Sequence, residues 1–265
     1  MCLYNKILNN KDFLDTVKKI ESIRFITDGK WDWEHGLGHY KRVADYVKSI
    51  LTQLGADART IDLGMAAALL HDIGLSKGDK VDHALESAQI FTKFIDKGSI
   101  TLEEEDILRS SILDHSKGNN IKSLIGLSLV LADKLDVTYH RTINSSIRDT
   151  MNKEIQKIKK VDINISDDEL IVSYTTDPNF DIDVLKGWPK AITIPYKVSK
   201  YLKRNYIFLI NNEKTDISCF LDWFILNFIK KTEDFSSVFI LRILLILLYP
   251  YNQYVVFLIR HFQTP

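Results

Sequence analysis

The stretch from Met65 to Gly78, MAAALLHDIGLSKG, constrains the fold more than any other part of the chain. Six mostly small or apolar residues lead into His71 and Asp72, and Ile73 and Gly74 close the run. Small residues let a helix pack closely against its neighbours, so the stretch predicts a buried helix. An imidazole and a carboxylate at its end are costly to bury unless each finds a partner. Further polar groups must therefore reach this point from elsewhere in the sequence.

The surrounding sequence reads as helices that could bring them. Phe13, Leu14, Val17, Ile20 and Ile23 fall on one helical face across residues 11–26. The glycine-containing segment DGKWDWEHGLG interrupts the pattern. A helix is expected from His39 to Leu54, with Val43, Val47, Ile50, Leu51 and Leu54 as its apolar stripe and Gly55 as its stop. Asp57 is placed to cap the next helix, which runs to His71 and ends at Gly74. Asp82 is placed to cap another, running through Lys97. Thr101 and Glu104 have capping-box spacing at the head of a helix over 101–115. Ile121–Val137 is strongly apolar and ends in LADKLDV, and a further helix is expected over 141–159. The period then changes. VDINISDDELIVSYT alternates on either side of SDDE, which predicts a β-hairpin. NYIFLIN at 205–211 predicts a third strand, preceded by a helix around Lys197–Lys203. The fold class is mainly α.

The end of the chain is different in kind. Ile217, Phe220, Leu221, Phe224, Ile225, Phe228 and Ile229 fit a helical face, and VFILRILLILLYPYNQYVVFLI (238–259) is far more apolar than anything before it. A membrane span needs about 20 such residues. Arg242, Pro250, Asn252 and Gln253 interrupt this one, and polar groups at depth are costly. The expectation is a pair of short buried or partner-packing helices, with membrane contact through 217–262 as the alternative. The whole chain has 265 residues, 45% of them hydrophobic, enough for a sizeable core. Its 35 basic and 35 acidic residues balance, so no long nucleic acid is expected as a partner. Cys2 and Cys219 form neither a metal-binding spacing nor a disulfide framework, which suits a reducing, cytoplasmic setting. The opening MCLYNKILNNKDF does not read as a signal peptide.

Six of the seven histidines precede residue 141. Four segments each offer a metal-type ligand near a helix end or on a helix face: GHYKRV (His39), LLHDIG (His71, Asp72), DHALESA (His83) and LDHSKG (His115). A fifth, LADKLD, sets Asp133 among apolar residues, where it must be paired or ligate a metal. Imidazoles joined by carboxylates favour hard or borderline divalent metals, and the lack of thiols argues against structural zinc. Any one of these residues alone reads as an ordinary core or surface group, as His140 and His261 do. Their order along the chain carries the information.

That order, GHYKRV … HDIG … LADKLD over about residues 30–140, resembles the HD-domain superfamily of metal-dependent phosphohydrolases. The resemblance implies a helical bundle in which His39, His71, Asp72 and Asp133 surround a metal. In some members two further histidines hold a second ion, and His83 and His115 match them, with Asp72 as the bridge. Two divalent ions (Fe, Mn, Co, Zn or Mg) are therefore expected, activating a water for attack on phosphorus. The implied partner is a small nucleotide-like substrate with a phosphoester or phosphoanhydride bond. Relatives act on nucleoside phosphates, guanosine tetraphosphate, cyclic dinucleotides and dinucleoside polyphosphates, and nothing here selects among them. Arg42, three residues after His39, and Lys77, just after the His-Asp turn, are the cations expected to hold it, beside a catalytic role for Asp72. His35 precedes the first helix of the motif and could touch a leaving group. Two alternatives stand: a non-catalytic HD-like module that binds a nucleotide or partner, and a di-iron oxygenase of HD type. The expected organisation is an HD-type helical metal-binding domain over 1–160, a small α+β extension over 161–211 and an apolar helical tail over 212–265.

Overall fold

A computed structural model describes residues 2–23, 26–27, 30–31, 33–78, 82–142 and 150–221. The chain divides into two units, Met1–Ile217 and Ser218–Pro265. Of the second, residues 218–221 are helical; the apolar run 238–259 and the helical positions beyond 221 lie outside the described residues. Among the described residues no helix is long and apolar enough to cross a membrane.

The first unit begins with helices α1 (Leu3–Leu8) and α2 (Lys11–Ser22) and a short antiparallel hairpin, β1 (Ile26–Thr27) and β2 (Lys30–Trp31). The bundle follows: α3 (Leu37–Gln53), α4 (Ala58–Leu70), α5 (His83–Ile90), α6 (Leu102–Asp114) and α7 (Leu124–Leu135). After α8 (Thr150–Ile155) come strands β3 (Ile158–Ile165) and β4 (Glu169–Thr176), helix α9 (Lys190–Tyr201), and strands β5 (Asn205–Ile210) and β6 (Glu213–Lys214).

Helix α4 packs against α3, α7, α1 and α6. Its small residues make this close packing available. A Cβ at Gly64 would lie 2.5 Å from Leu51 Cδ1 and 2.9 Å from Val47 Cγ1 on α3, and Ala66, Ala67 and Ala68 have no exposure at all. Side-chain caps start four of these helices, as they satisfy N–H groups that have no partner inside the helix. Asn10 caps α2, Asp57 caps α4 and Ser123 caps α7, while Thr101 and Glu104 form the expected capping box on α6.

The structure corrects three boundaries. Asp82 makes no capping hydrogen bond, because its backbone is not extended; α5 runs only to Ile90 and tightens into a 3-10 turn over Phe91–Phe94. The helix expected over 141–159 is helical over Thr150–Ile155, with residues 143–149 outside the described set and strand β3 starting at Ile158. The helix placed at Lys197–Lys203 starts earlier, at Lys190.

The sheet has the order β3-β4-β5-β6. The hairpin β3/β4 is antiparallel, β4/β5 is parallel and β5/β6 is antiparallel. A parallel neighbour needs a crossover. Here it carries α9, which packs on α7 as well as on β4 and β5. On the other side β3 leans on α3: Tyr46 Oη donates to the Val161 carbonyl at 2.8 Å, and Ile165 N donates to Gln53 Oε1 at 2.7 Å. The C-terminal extension is thus attached to the two helices that carry His39 and Asp133.

Candidate metal centre

Three histidines are oriented by the same device. His71 is the C-cap of α4 and its Nδ1 donates to the Ala68 carbonyl at 2.8 Å; His115 is the C-cap of α6 and its Nδ1 donates to the Ile112 carbonyl at 2.6 Å. The last carbonyls of a helix lack partners within it, and here each ring supplies one. On α3, His39 Nδ1 donates to Asp136 Oδ2 at 2.7 Å. Carbonyls and carboxylates only accept, so each Nδ1 carries the hydrogen and each Nε2 is left with its lone pair facing inward.

Those lone pairs converge with two carboxylates. His39 Nε2 lies 3.2 Å from His71 Nε2 and 3.5 Å from Asp133 Oδ1. Asp72 Oδ2 lies 3.3 Å from His71 Nε2 and 3.8 Å from His39 Nε2. The other oxygen, Asp72 Oδ1, lies 3.1 Å from His115 Nε2 and 3.4 Å from His83 Nε2, and the two Nε2 atoms are 3.3 Å apart. Sets of three such atoms within 4.8 Å of one another are His35/His39/Asp72, His39/His71/Asp133 and His71/Asp72/His115. All six expected ligands thus meet in one cluster.

Acceptors this close to one another repel unless a cation lies between them. Burial, with Arg141 nearby, pushes the His39 pKa down to about 3, so its ring is neutral. Burial also opposes a charge on His71, but Asp72 and Asp133 outweigh it and raise its pKa. Burial opposes ionisation of Asp72 too, yet the neighbouring His71, His115 and His35 rings hold it well below the usual carboxylate range. Asp133 is likewise held low, against burial, by Lys134, His71 and His39. The acids stay ionised beside a neutral His39, and a divalent cation fits this donor set of imidazoles and carboxylates.

Gly74 explains how His83 is brought in. A Cβ there would lie 2.4 Å from the His83 carbonyl oxygen and 2.5 Å from Ser87 N. The backbone after the His-Asp pair therefore touches the start of α5, and Gly74 N donates to Ser87 Oγ at 2.8 Å.

The expected substrate cations are placed differently from each other. Arg42 shares a face with His39, but its guanidinium is committed: Nε donates to Asp136 Oδ1 at 2.7 Å and Nη2 to Glu34 Oε2 at 2.8 Å. It braces the carboxylate that orients His39. Lys77 ends the 3-10 turn Ile73–Lys77 and is exposed. His35 is nearer than its sequence position suggested, with Nδ1 2.9 Å from Asp72 Oδ2. Sequence reasoning missed Asp136, which is 1% exposed, and Lys134, whose Nζ touches Asp133 Oδ2. Asp136 stood in the quoted LADKLD, three residues after Asp133, which was signal enough to place it near the same site. A cleft of about 370 Å³ between α3 and β3 is lined by Arg42, Tyr46, Asp136, Thr138 and Lys159 and by none of the six ligands.

Residues 36–138 match the family model of the HD domain. This stretch is an HD domain. It contains all six clustered histidines and aspartates and ends just beyond Asp136. The HD superfamily is one of metal-dependent hydrolases, and His/Asp clusters of this kind could hold its divalent metal. Among solved structures, the chain is similar to a predicted HD superfamily hydrolase from an uncultured Thermotogales bacterium, at 24% identity over 48% of this chain and 68% of that one, with a TM-score of 0.37. No curated protein matches the chain.

Proposed function

We propose that the chain is a phosphohydrolase that uses two divalent ions to cleave a phosphoester or phosphoanhydride bond in a nucleotide-like substrate. The observation that carries this reading is the split of Asp72, whose Oδ2 faces His71 and His39 while Oδ1 faces His115 and His83. His39, His71, Asp72 and Asp133 would hold one ion, and Asp72, His83 and His115 the other. Bound there, the ions would supply a water of lowered pKa and positive charge opposite developing phosphoryl charge.

The remaining work falls to the chain's own groups. Asp136 and the Ala68 and Ile112 carbonyls fix three rings so that their lone pairs stay inward. Asp72 and Asp133 stay ionised across the neutral range. His35 and His83 keep 12% and 16% of their side chains exposed while His39 and His71 have none, so solvent and substrate meet the cluster from that side. Exposed Lys77 offers a charge on the turn that follows Asp72.

The test combines metal analysis with a panel of nucleotides and phosphodiesters in Mn²⁺ or Fe²⁺, and oxygen consumption measured alongside. Two equivalents of metal and phosphate release are expected. Asp72→Ala is expected to lose at least about 100-fold in rate, since one carboxylate orders both ions. Near wild-type turnover in that variant would defeat the reading, and oxygen uptake without phosphate release would replace it with oxygenase chemistry.

A further inference from the structure

Two stretches outside the HD domain meet beside the ligand cluster. Trp33 and Trp188 pack edge to face, with ring centroids 4.6 Å apart and planes at 70°. Two residues after Trp33, His35 reaches Asp72. Two residues after Trp188, Lys190 opens α9 and its Nζ donates to the Ser116 carbonyl at 2.8 Å. Ser116 directly follows His115. The segment 188–190 is therefore pinned at both ends to walls of the site, and it places a half-buried ammonium at the rim.

Lys190 has three N–H donors and the Ser116 carbonyl takes one. A second ammonium, that of Lys134, is near enough to act on it electrostatically. Lys134 is 6% exposed, and its Nζ touches Asp133 Oδ2, whose carboxylate also faces His39 and His71. Burial and the neighbouring Lys134 and Lys117 charges lower the pKa of Lys190, with only Asp133 opposing them. Asp133 pairs with Lys134 and offsets part of this repulsion, and a further anion between the two ammonium groups would offset the rest. A lysine needed only to engage the Ser116 carbonyl could be any neutral donor.

We propose that Lys190, with Lys134 behind it, forms a phosphate-binding subsite at the rim of the metal-ligand cluster. Resting on the phosphohydrolase reading, this assigns the C-terminal extension a part in substrate choice: it favours substrates with a phosphate group beyond the one that reacts. The subsite comes from α9, outside residues 36–138, so it belongs to this chain's own architecture.

The probe is methylenediphosphonate, which carries two linked phosphonates and is not hydrolysed, titrated calorimetrically into the metal-loaded protein with orthophosphate as the single-group comparison. Lys190→Gln keeps a donor for the Ser116 carbonyl and removes the charge. It is expected to weaken diphosphonate binding at least about tenfold, the size of a charge-assisted contact, and orthophosphate binding much less. Lys190→Arg is expected to stay within about threefold of wild type. Lys200→Gln is the control, being exposed further along α9. Metal content and melting temperature of Lys190→Gln are expected to equal wild type. Unchanged diphosphonate affinity in Lys190→Gln overturns the subsite, as does loss of metal in that variant, which would mark the Ser116 contact as structural. If wild type neither binds the probe nor releases phosphate from any ester, the phosphohydrolase reading falls first and takes the subsite with it. If wild type turns over esters and Lys190→Gln binds like wild type, the subsite alone falls.

Discussion

Asp136 holds a ligand from behind. Its carboxylate receives the His39 N–H on Oδ2 and the Arg42 guanidinium on both oxygens. Although burial opposes its ionisation, His39, Arg141 and Arg42 keep it charged far into acid. Asp136→Asn keeps the shape and removes the charge, so His39 becomes a weaker donor to the ion. Metal affinity is expected to fall about 10–100-fold, checked by competition with a chromophoric chelator. The clustered histidines and aspartates were legible in the sequence because each sits in a short motif within a recognisable order. The bracing residues were not, because their importance lies in what they touch. Arg42 is the clearest case: its spacing puts it on the His39 face, but its Glu34 and Asp136 partners commit its guanidinium, and Glu34 lies before the helix begins. Lys190 was hidden for a plainer reason, since 74 residues separate it from Ser116.

At the level of elements, the close approach at Gly74 sets the relation between the His-Asp turn and α5. Gly74→Ala must push apart two backbones, because the atoms that its Cβ would meet first are main-chain. The expected cost is about 1–3 kcal/mol of stability, as for an overpacked core site. Metal stoichiometry is expected to drop towards one, because His83 moves with α5; denaturant titration and metal analysis check the two parts. A second joint links α4 to α6, where Arg59 Nε and Nη2 donate to Glu104 Oε1 and Oε2 at 2.7 and 2.8 Å. The hydrogen bond from Arg59 is the main cause of the lowered Glu104 pKa. A lowered carboxylate stabilises the fold fully above its ordinary value of 4.5 and loses that contribution as pH falls through the folded value. The stability gap between wild type and Glu104→Gln is therefore expected to be largest near neutrality and to close below pH 4.5, as urea midpoints across a pH series would show. The capping box, the α3 and α4 boundaries and the β3/β4 hairpin were all readable, since local pattern decides them. The parallel placement of β5 beside β4 was not, because it depends on how α9 packs between sheet and bundle. The shortness of α5 also escaped the pattern, because an apolar stripe continues into its 3-10 turn.

Over the whole first unit, metal binding and folding are expected to be linked. Without a bound cation, three Nε2 atoms and two carboxylates would face one another in a buried place, which favours unfolding. A ligand that binds only the folded state adds stability in proportion to the logarithm of its concentration, about 2.7 kcal/mol at one hundred times its Kd. Chelation is expected to lower the melting temperature, and re-addition of Mn²⁺ to restore it. The same cycle in Asp72→Ala is expected to show little shift, and a full shift there would mean that the ions bind elsewhere. The mainly helical fold with its small sheet was foreseen from the change of period after residue 160, and the convergence of ligands from the motif order.

The histidines at the ends of α4 and α6 have one more consequence. Each ring spends its Nδ1 hydrogen on a carbonyl of its own last turn. Fraying of that turn releases the ring, and release of the ring opens the coordination shell. Unwinding at two helix tips and escape of a bound ion would then be a single event, and the hold on that ion would be set by how seldom the backbone opens there.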